Sequence, residues 1–299
     1  MKTQVLFRSN LFRLAAFLAA FTCGALAAQT PVAKAAPPPS RILLAINEGG
    51  AANADATETL FKYQEFGEMV ERTLKVQVVL VAVRDRDKLK NSLKKQEYPL
   101  LLARPNDVPA EAIRDFGYRP IAMAKEPSQT LFIVTKDSPL KSIADVKGKT
   151  IVTPDAYSNM WRVANAMLRD ANIVMANEKV KAMRDQAAIG WSMENKFFDV
   201  GVINSISGVG RTWEKNGGRV IARSRDLPNM PFIASPAISD EQIAKLRVAV
   251  VGLDGSDSGK TILKKIGINT GFQPATSQAF LDFLAWIGDL EAAKNASQP

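Results

Sequence analysis

Four short segments hold the residues best suited to gripping a small polar molecule. Asn47 and Glu48 stand beside a glycine pair. Arg104 and Asn106 flank a proline. Asp155, Tyr157, Ser158 and Asn159 lead into a helical pattern, and Asn204 and Ser205 close an apolar run. Arg104 is either a two-pronged clamp for a carboxylate or phosphate or a surface arginine. Glu48 either meets an amine or sits solvated in its loop. Asn204 and Ser205 either donate to a ligand or close a turn. The free backbone N–H groups where a helix starts near Ser158 are receptive to an anion. Ser158 or Asp155 either faces that anion or caps the helix, and Asp155 repels an anion if it faces the same space. Trp161 and Trp191 either stack on a planar solute or pack in the core.

What is missing narrows the chemistry. The chain has no histidine and one cysteine, Cys23. Histidine triads, histidine general bases and histidine-bearing metal sites are excluded. We therefore expect binding rather than catalysis, with no catalytic residue, metal or cofactor. Two nucleotide- and calcium-like stretches fail on spacing. Residues 255–261, GSDSGKT, have three residues between the glycines where a phosphate loop needs four. The calcium-loop pattern starting at Asp254 reaches Lys265 at its twelfth position, where the closing carboxylate should stand. Both read as a turn with a helix cap.

The elements that hold these segments alternate strand and helix. Apolar or β-branched runs at 41–46, 76–83, 98–103, 129–135, 150–153, 197–203, 219–223 and 230–234 read as strands. Phe66, Met69, Val70, Thr73 and Leu74 share one helical face. Further helices are expected over 86–95, 158–171, 177–189, from a Ser239–Gln242 capping box to Leu253, over 258–266, and along the face of Phe280, Phe283, Leu284 and Ile287. This alternation implies an α/β architecture. Ligands of such sheets sit beyond the carboxyl ends of strands and at helix N-termini, where the four segments fall.

The first 28 residues read as an export leader. Lys2, Arg8 and Arg13 precede an apolar run over 14–26, and Ala25 and Ala27 give a small-x-small cleavage pattern. Cleavage removes Cys23; the alternatives are a retained N-terminal anchor or a lipid on Cys23, whose flanking residues match a lipidation box poorly. Residues 29–40, rich in Ala and Pro, read as a tether. The formal charge is +9, but basic residues are interspersed with acidic ones, as in RDRDK at 84–88. No dense basic stripe suggests a nucleic-acid partner, while the mild positive charge favours anionic solutes.

Three stretches carry a family resemblance: DSPLKSIADVKGK at 137–149 with the strand after it, FDVGVINS at 198–205, and LPNMPFIAS at 227–235 with the residues through Gly267 and Ile268. They resemble the phosphonate/phosphite/phosphate-type solute-binding proteins of ABC importers. The resemblance implies the type II periplasmic binding fold: two lobes, each a mixed sheet flanked by helices, joined by two crossing strands. It places one lobe at 41–124 plus 228–299 and the other at 125–227. It implies a periplasmic monomer that closes on a small, anionic ligand and docks to a membrane ABC permease. A sensor of the same fold, signalling to a membrane receptor or kinase, is the alternative. Phosphonate-binding members carry a Ser-Thr-Ser-Gly-like run where this chain has Tyr157, Ser158, Asn159 and Met160, so only Ser158 keeps a gripping hydroxyl.

Overall fold

A computed structural model describes residues 41–49, 55–104, 106–156 and 158–288. The expected leader and tether lie outside the described residues. The chain opens with β1 (Arg41–Asn47), α1 (Ala56–Leu74), β2 (Gln77–Ala82), α2 (Arg86–Lys94), β3 (Leu100–Ala103), α3 (Asp107–Asp115) and β4 (Arg119–Ala124). Helix α1 starts where the Asp55 carboxylate accepts from the N–H groups of Thr57 and Glu58, and it buries Tyr63, Phe66, Met69 and Val70. These are the positions that a 3.6-residue period puts on one side.

The chain then crosses into β5 (Thr130–Val134), β6 (Thr150–Thr153), α4 (Asn159–Asp170), β7 (Lys179–Ala182), α5 (Gln186–Glu194), β8 (Val200–Asn204), α6 (Gly208–Thr212) and β9 (Arg219–Arg223). It returns through β10 (Phe232–Ala234), α7 (Asp240–Val251), α8 (Asp257–Lys265), β11 (Phe272–Pro274) and α9 (Ser277–Ile287). Two mixed sheets result, with orders β11-β4-β10-β3-β1-β2 and β7-β6-β8-β5-β9. Strand β1 runs parallel to β2 and β3, and β6 parallel to β7 and β8. The returning β10 inserts antiparallel between β3 and β4. The two crossings touch: Ser128 and Leu227 exchange backbone hydrogen bonds of 3.2 and 2.9 Å.

The helix expected over 177–189 is corrected by the structure. Lys179–Ala182 forms an edge strand against β6, with the lysines exposed and Val180 turned partly inward. Only at Gln186 does a helix begin, capped by Asp185. Helix α3 and strand β4 were not anticipated. Pro109 is tolerated in the first turn of α3, and Pro120 coincides with a register shift between β4 and β10, as expected of a residue that cannot donate to the ladder. The Ser239 and Gln242 capping box forms with both of its bonds. The phosphate-loop look-alike is a turn and cap: Ser256 Oγ accepts from Gly259 N. A methyl group at Gly259 would sit 2.0 Å from the Leu253 carbonyl oxygen, so that turn requires glycine.

Packing follows the two sheets and then joins them. One core gathers Phe66, Phe232, Phe272 and their neighbours on the first sheet. A smaller one gathers Leu131, Ile133 and Trp213 on the second. The largest is continuous from Leu101 and Ile113 through Phe280 and Phe283 of α9 to Val163 of α4 and Val202 of β8. Helices α3, α4 and α9 therefore pack where the two sheets' layers meet.

Candidate ligand-binding site

The carboxyl ends of β1 and β3 place two of the selected residues in contact. Asn47 is buried and braces its loop, with Nδ2 donating to Val83 O at 2.6 Å and Oδ1 accepting from Gly49 N. The next side chain, Glu48, accepts from Lys62 Nζ at 2.6 Å and from the Tyr63 hydroxyl, both on α1. Arg104 Nη2 lies 3.5 Å from the same carboxylate oxygen and donates to Ile266 O at 2.9 Å. Arg104 is thus a fixed, half-buried cation, and Glu48 is its counter-ion.

Burial works against ionisation of Glu48, but hydrogen bonds from Lys62 and Tyr63 and the charges of Arg104 and Lys62 outweigh it. They hold the carboxyl below its ordinary value of 4.5. Burial pushes the Tyr63 phenol up, so it stays a donor. A lowered folded-state value means that Glu48 adds stability above its unfolded-state value. That contribution fades as pH falls below 4.5 and through the folded-state value. Thermal melts of the parent and Glu48→Gln across pH 3–7 are expected to show the parent ahead at neutral pH, with the gap narrowing below about pH 4.5. A gap independent of pH would contradict this account.

A second ionic group joins α2, α3 and α4. Asp107 is fully buried at the start of α3. Arg86 pairs with Asp107 and, at 3.1 Å, with Glu111, and Lys90 Nζ lies 2.9 Å from Glu111. Arg162 of α4, 2% exposed, reaches Asp107 at 3.2 Å and Glu111 at 3.1 Å. Its Nη2 donates to Gly288 O at 2.6 Å. Burial opposes the Arg86 charge, yet the carboxylates of Asp107 and Glu111 raise it above its ordinary value. Asn106, next to Asp107, donates from Nδ2 to Pro228 O at 2.7 Å in the second crossing. Asn106 Oδ1, Asp107 Oδ1, Asn159 Oδ1 and Arg162 Nε are buried without a hydrogen-bond partner.

On the second sheet, Ser158 is the N-cap of α4, its Oγ accepting from Trp161 N at 3.2 Å. Asn159 follows at the first helical position. Tyr157 lies outside the described residues. Asp155 is exposed and stands 3.9 Å from Arg184. Asn204 donates from Nδ2 to Ser128 Oγ at 2.8 Å, and Ser205 Oγ accepts from Gln129 N at 2.9 Å. Both tie the end of β8 to the first crossing. Trp161 is buried, while Trp191 is 58% exposed and meets Phe197 edge to face.

Six charged residues of the site region were not among the residues selected from sequence: Lys62, Arg86, Lys90, Asp107, Glu111 and Arg162. A signal existed. Arg86 and Lys90 are four apart, as are Asp107 and Glu111, which gives two short helices complementary faces of opposite sign. Among the described residues, Lys62 and Arg104 pair with Glu48, while Arg86, Lys90 and Arg162 pair with Asp107 and Glu111, and Asp87 adds its charge beside Arg86. Among the described residues no group of three or more His, Cys, Asp or Glu is placed to hold a metal ion.

Residues 49–280 match the family described as ABC transporter, phosphonate, periplasmic substrate-binding protein. No curated protein matches the chain in sequence. Solved structures share its fold at low identity. A Xanthomonas citri protein bound to ATP is 14% identical, with a TM-score of 0.68 over 85% of this chain and 99% of that one. A Prochlorococcus marinus protein, PhnD1, solved in complex with methylphosphonate, is 15% identical, with a TM-score of 0.64 over 86% and 99%. A binding-protein component of a Pseudomonas aeruginosa ABC phosphonate transporter is 17% identical, with a TM-score of 0.62 over 86% and 89%.

Proposed function

From the premise that the chain belongs to the phosphonate-type periplasmic substrate-binding family of ABC transporters, we propose that it captures a small anionic solute between two lobes and hands it to a permease. The family implies the periplasmic location, a small-molecule ligand and the permease partnership. The lobes in this reading are residues 41–124 with 228–299, and 125–227.

The observation that carries the anionic reading is the unbalanced charge at the strand ends. Arg104 and Lys62 share a single carboxylate, Glu48, and Arg104 is held in place by a backbone carbonyl. In this reading the preset guanidinium of Arg104 attracts carboxylate, sulfonate or phosphonate groups, which the helix N-terminus at Ser158 and Asn159 then also receives. Ser158 and Asn159 at the start of α4 supply the opposite wall. Asn47, Asn106, Asn204 and Ser205 act chiefly as braces, since their side chains already bond to Val83, Pro228, Ser128 and Gln129. Asp155, exposed beside Arg184, lies outside the contact set of this reading.

The test is a thermal-shift panel of phosphate, methylphosphonate, alkanesulfonates and dicarboxylates on the purified protein. One class is expected to stabilise it, by about 2.7 kcal/mol at a hundredfold excess over Kd. Arg104→Ala is expected to abolish that shift while leaving the unliganded melt cooperative. No shift from any anion would reject the anionic reading.

A further inference from the structure

We propose that Arg162 is a positioning residue for solute capture: its ion pairs to Asp107 and Glu111 form a reversible latch that biases the solute-free protein toward shut lobes. The role in capture rests on the reading above, that solute sits between the lobes; the latch itself does not.

The first argument is location. Helix α3 follows β3 of the first sheet, and α4 follows β6 of the second. The contacts of Arg162 Nη1 with Asp107 at 3.2 Å and Glu111 at 3.1 Å therefore run between lobes. Arg162 is also one turn past Ser158, so it moves with the helix start that faces solute.

The second argument is charge. Asp107 and Glu111 form an acidic socket with its own cations, Arg86 and Lys90, supplied by α2 of the same lobe. When the lobes part, the socket keeps those partners while Arg162 leaves it and also gives up Gly288 O, along with the bonds that join Trp286 to Arg169 and Asp170 across the same seam. No bare buried carboxylate remains, and the guanidinium regains water. Desolvation of a buried ion offsets much of its ion-pair attraction, so the plug itself sits near balance within a seam that Ile113, Phe283 and Val163 also line.

The third argument is incomplete satisfaction. Arg162 Nε and Asp107 Oδ1 are buried without hydrogen-bond partners. Opening gives each of them water, which favours release. A solute that requires the shut form then binds more tightly in proportion to the fraction already shut.

The experiment compares the purified full chain with Arg162→Met and Arg162→Lys, all without solute, by small-angle X-ray scattering and amide hydrogen exchange. Arg162→Met is expected to enlarge the radius of gyration. Exchange at 106–111 and 158–163 should speed by roughly tenfold or more, as an opened state ordinarily populated at about 0.1–10% becomes common. Arg162→Lys should restore most of the parent behaviour. Asp107→Asn gives the same readout if Arg162→Met does not fold. Unchanged scattering and exchange would overturn the latch, as would faster exchange throughout β6 and β8, which would mark a purely structural role. Because no solute is present, failure of the anionic reading leaves these readouts intact.

Discussion

Phe66→Ala is expected to lower the unfolding free energy by about 3–5 kcal/mol. Against a typical total of about 5–15 kcal/mol, that is a large share. Phe66 is fully buried on α1, edge-on to Phe232 with ring centroids 5.5 Å apart, and 6.3 Å from Phe272. Phe232 and Phe272 belong to β10 and β11, which the chain lays down only after returning from the second sheet. One ring thus joins the opening segment of the chain to its closing one. Truncation removes the aromatic contacts, worth about 0.5–1.5 kcal/mol per pair beyond area, and leaves a cavity that three different elements would have to collapse to fill. The effect should reach the site as well. Tyr63 lies one turn before Phe66, and its hydroxyl holds Glu48, so a shift of α1 loosens the counter-ion of Arg104. Urea unfolding followed by tryptophan fluorescence measures the loss; a change below about 1 kcal/mol would mean that the site collapses around the missing ring.

The fold was readable where local pattern and tertiary need agree. Apolar runs became β1, β3 and β6, and Ser158 and Ser239 cap the helices they precede. It was misread where they diverge. Over 177–189 the polar sequence suggested a helix, while alternation of Lys179, Val180 and Lys181 served an edge strand with one side wet. Residues 107–124 were hidden by Pro109 and Pro120, which a first helical turn and an irregular strand pairing both accommodate. At the site, Glu48 and Arg104 could be selected because each follows a strand. Lys62 and Tyr63 could not, because they reach Glu48 from a helix that only tertiary packing brings near. Arg162 was missed for a similar reason. On a helix a charge is normally read as a wet face, but α4 is buried on nearly every side, and the partners that make burial tolerable lie 55 and 51 residues away.

Replacing Asp107 by Leu is expected to cost up to about 3–5 kcal/mol, whereas Asp107→Leu with Arg162→Met should recover most of that loss. The single change leaves Arg86, Lys90 and Arg162 facing one carboxylate, Glu111, in a buried setting. Two outlets exist for the strain. The protein can bear the unpaired charge, or the lobes can part and return Arg162 to water. The measured loss reports whichever costs less, so it is bounded above by the free energy of opening. The double variant removes plug and partner together and restores near-balance in the socket, where Arg86 and Lys90 still bracket Glu111. An apolar pair of similar volume then fills a seam already lined by Ile113, Val163 and Phe283. Urea unfolding of the parent, both single variants and the double variant gives the coupling directly. A favourable interaction of about 0.5–3 kcal/mol is the range for residues that act as a unit; strictly additive losses would mean that Arg162 and Asp107 stabilise the protein through separate contacts. The double variant also separates adhesion from control. Its lobes should stay together through apolar contact, but without a charge that water can reclaim, so it is expected to hold the shut form and exchange solute more slowly than the parent.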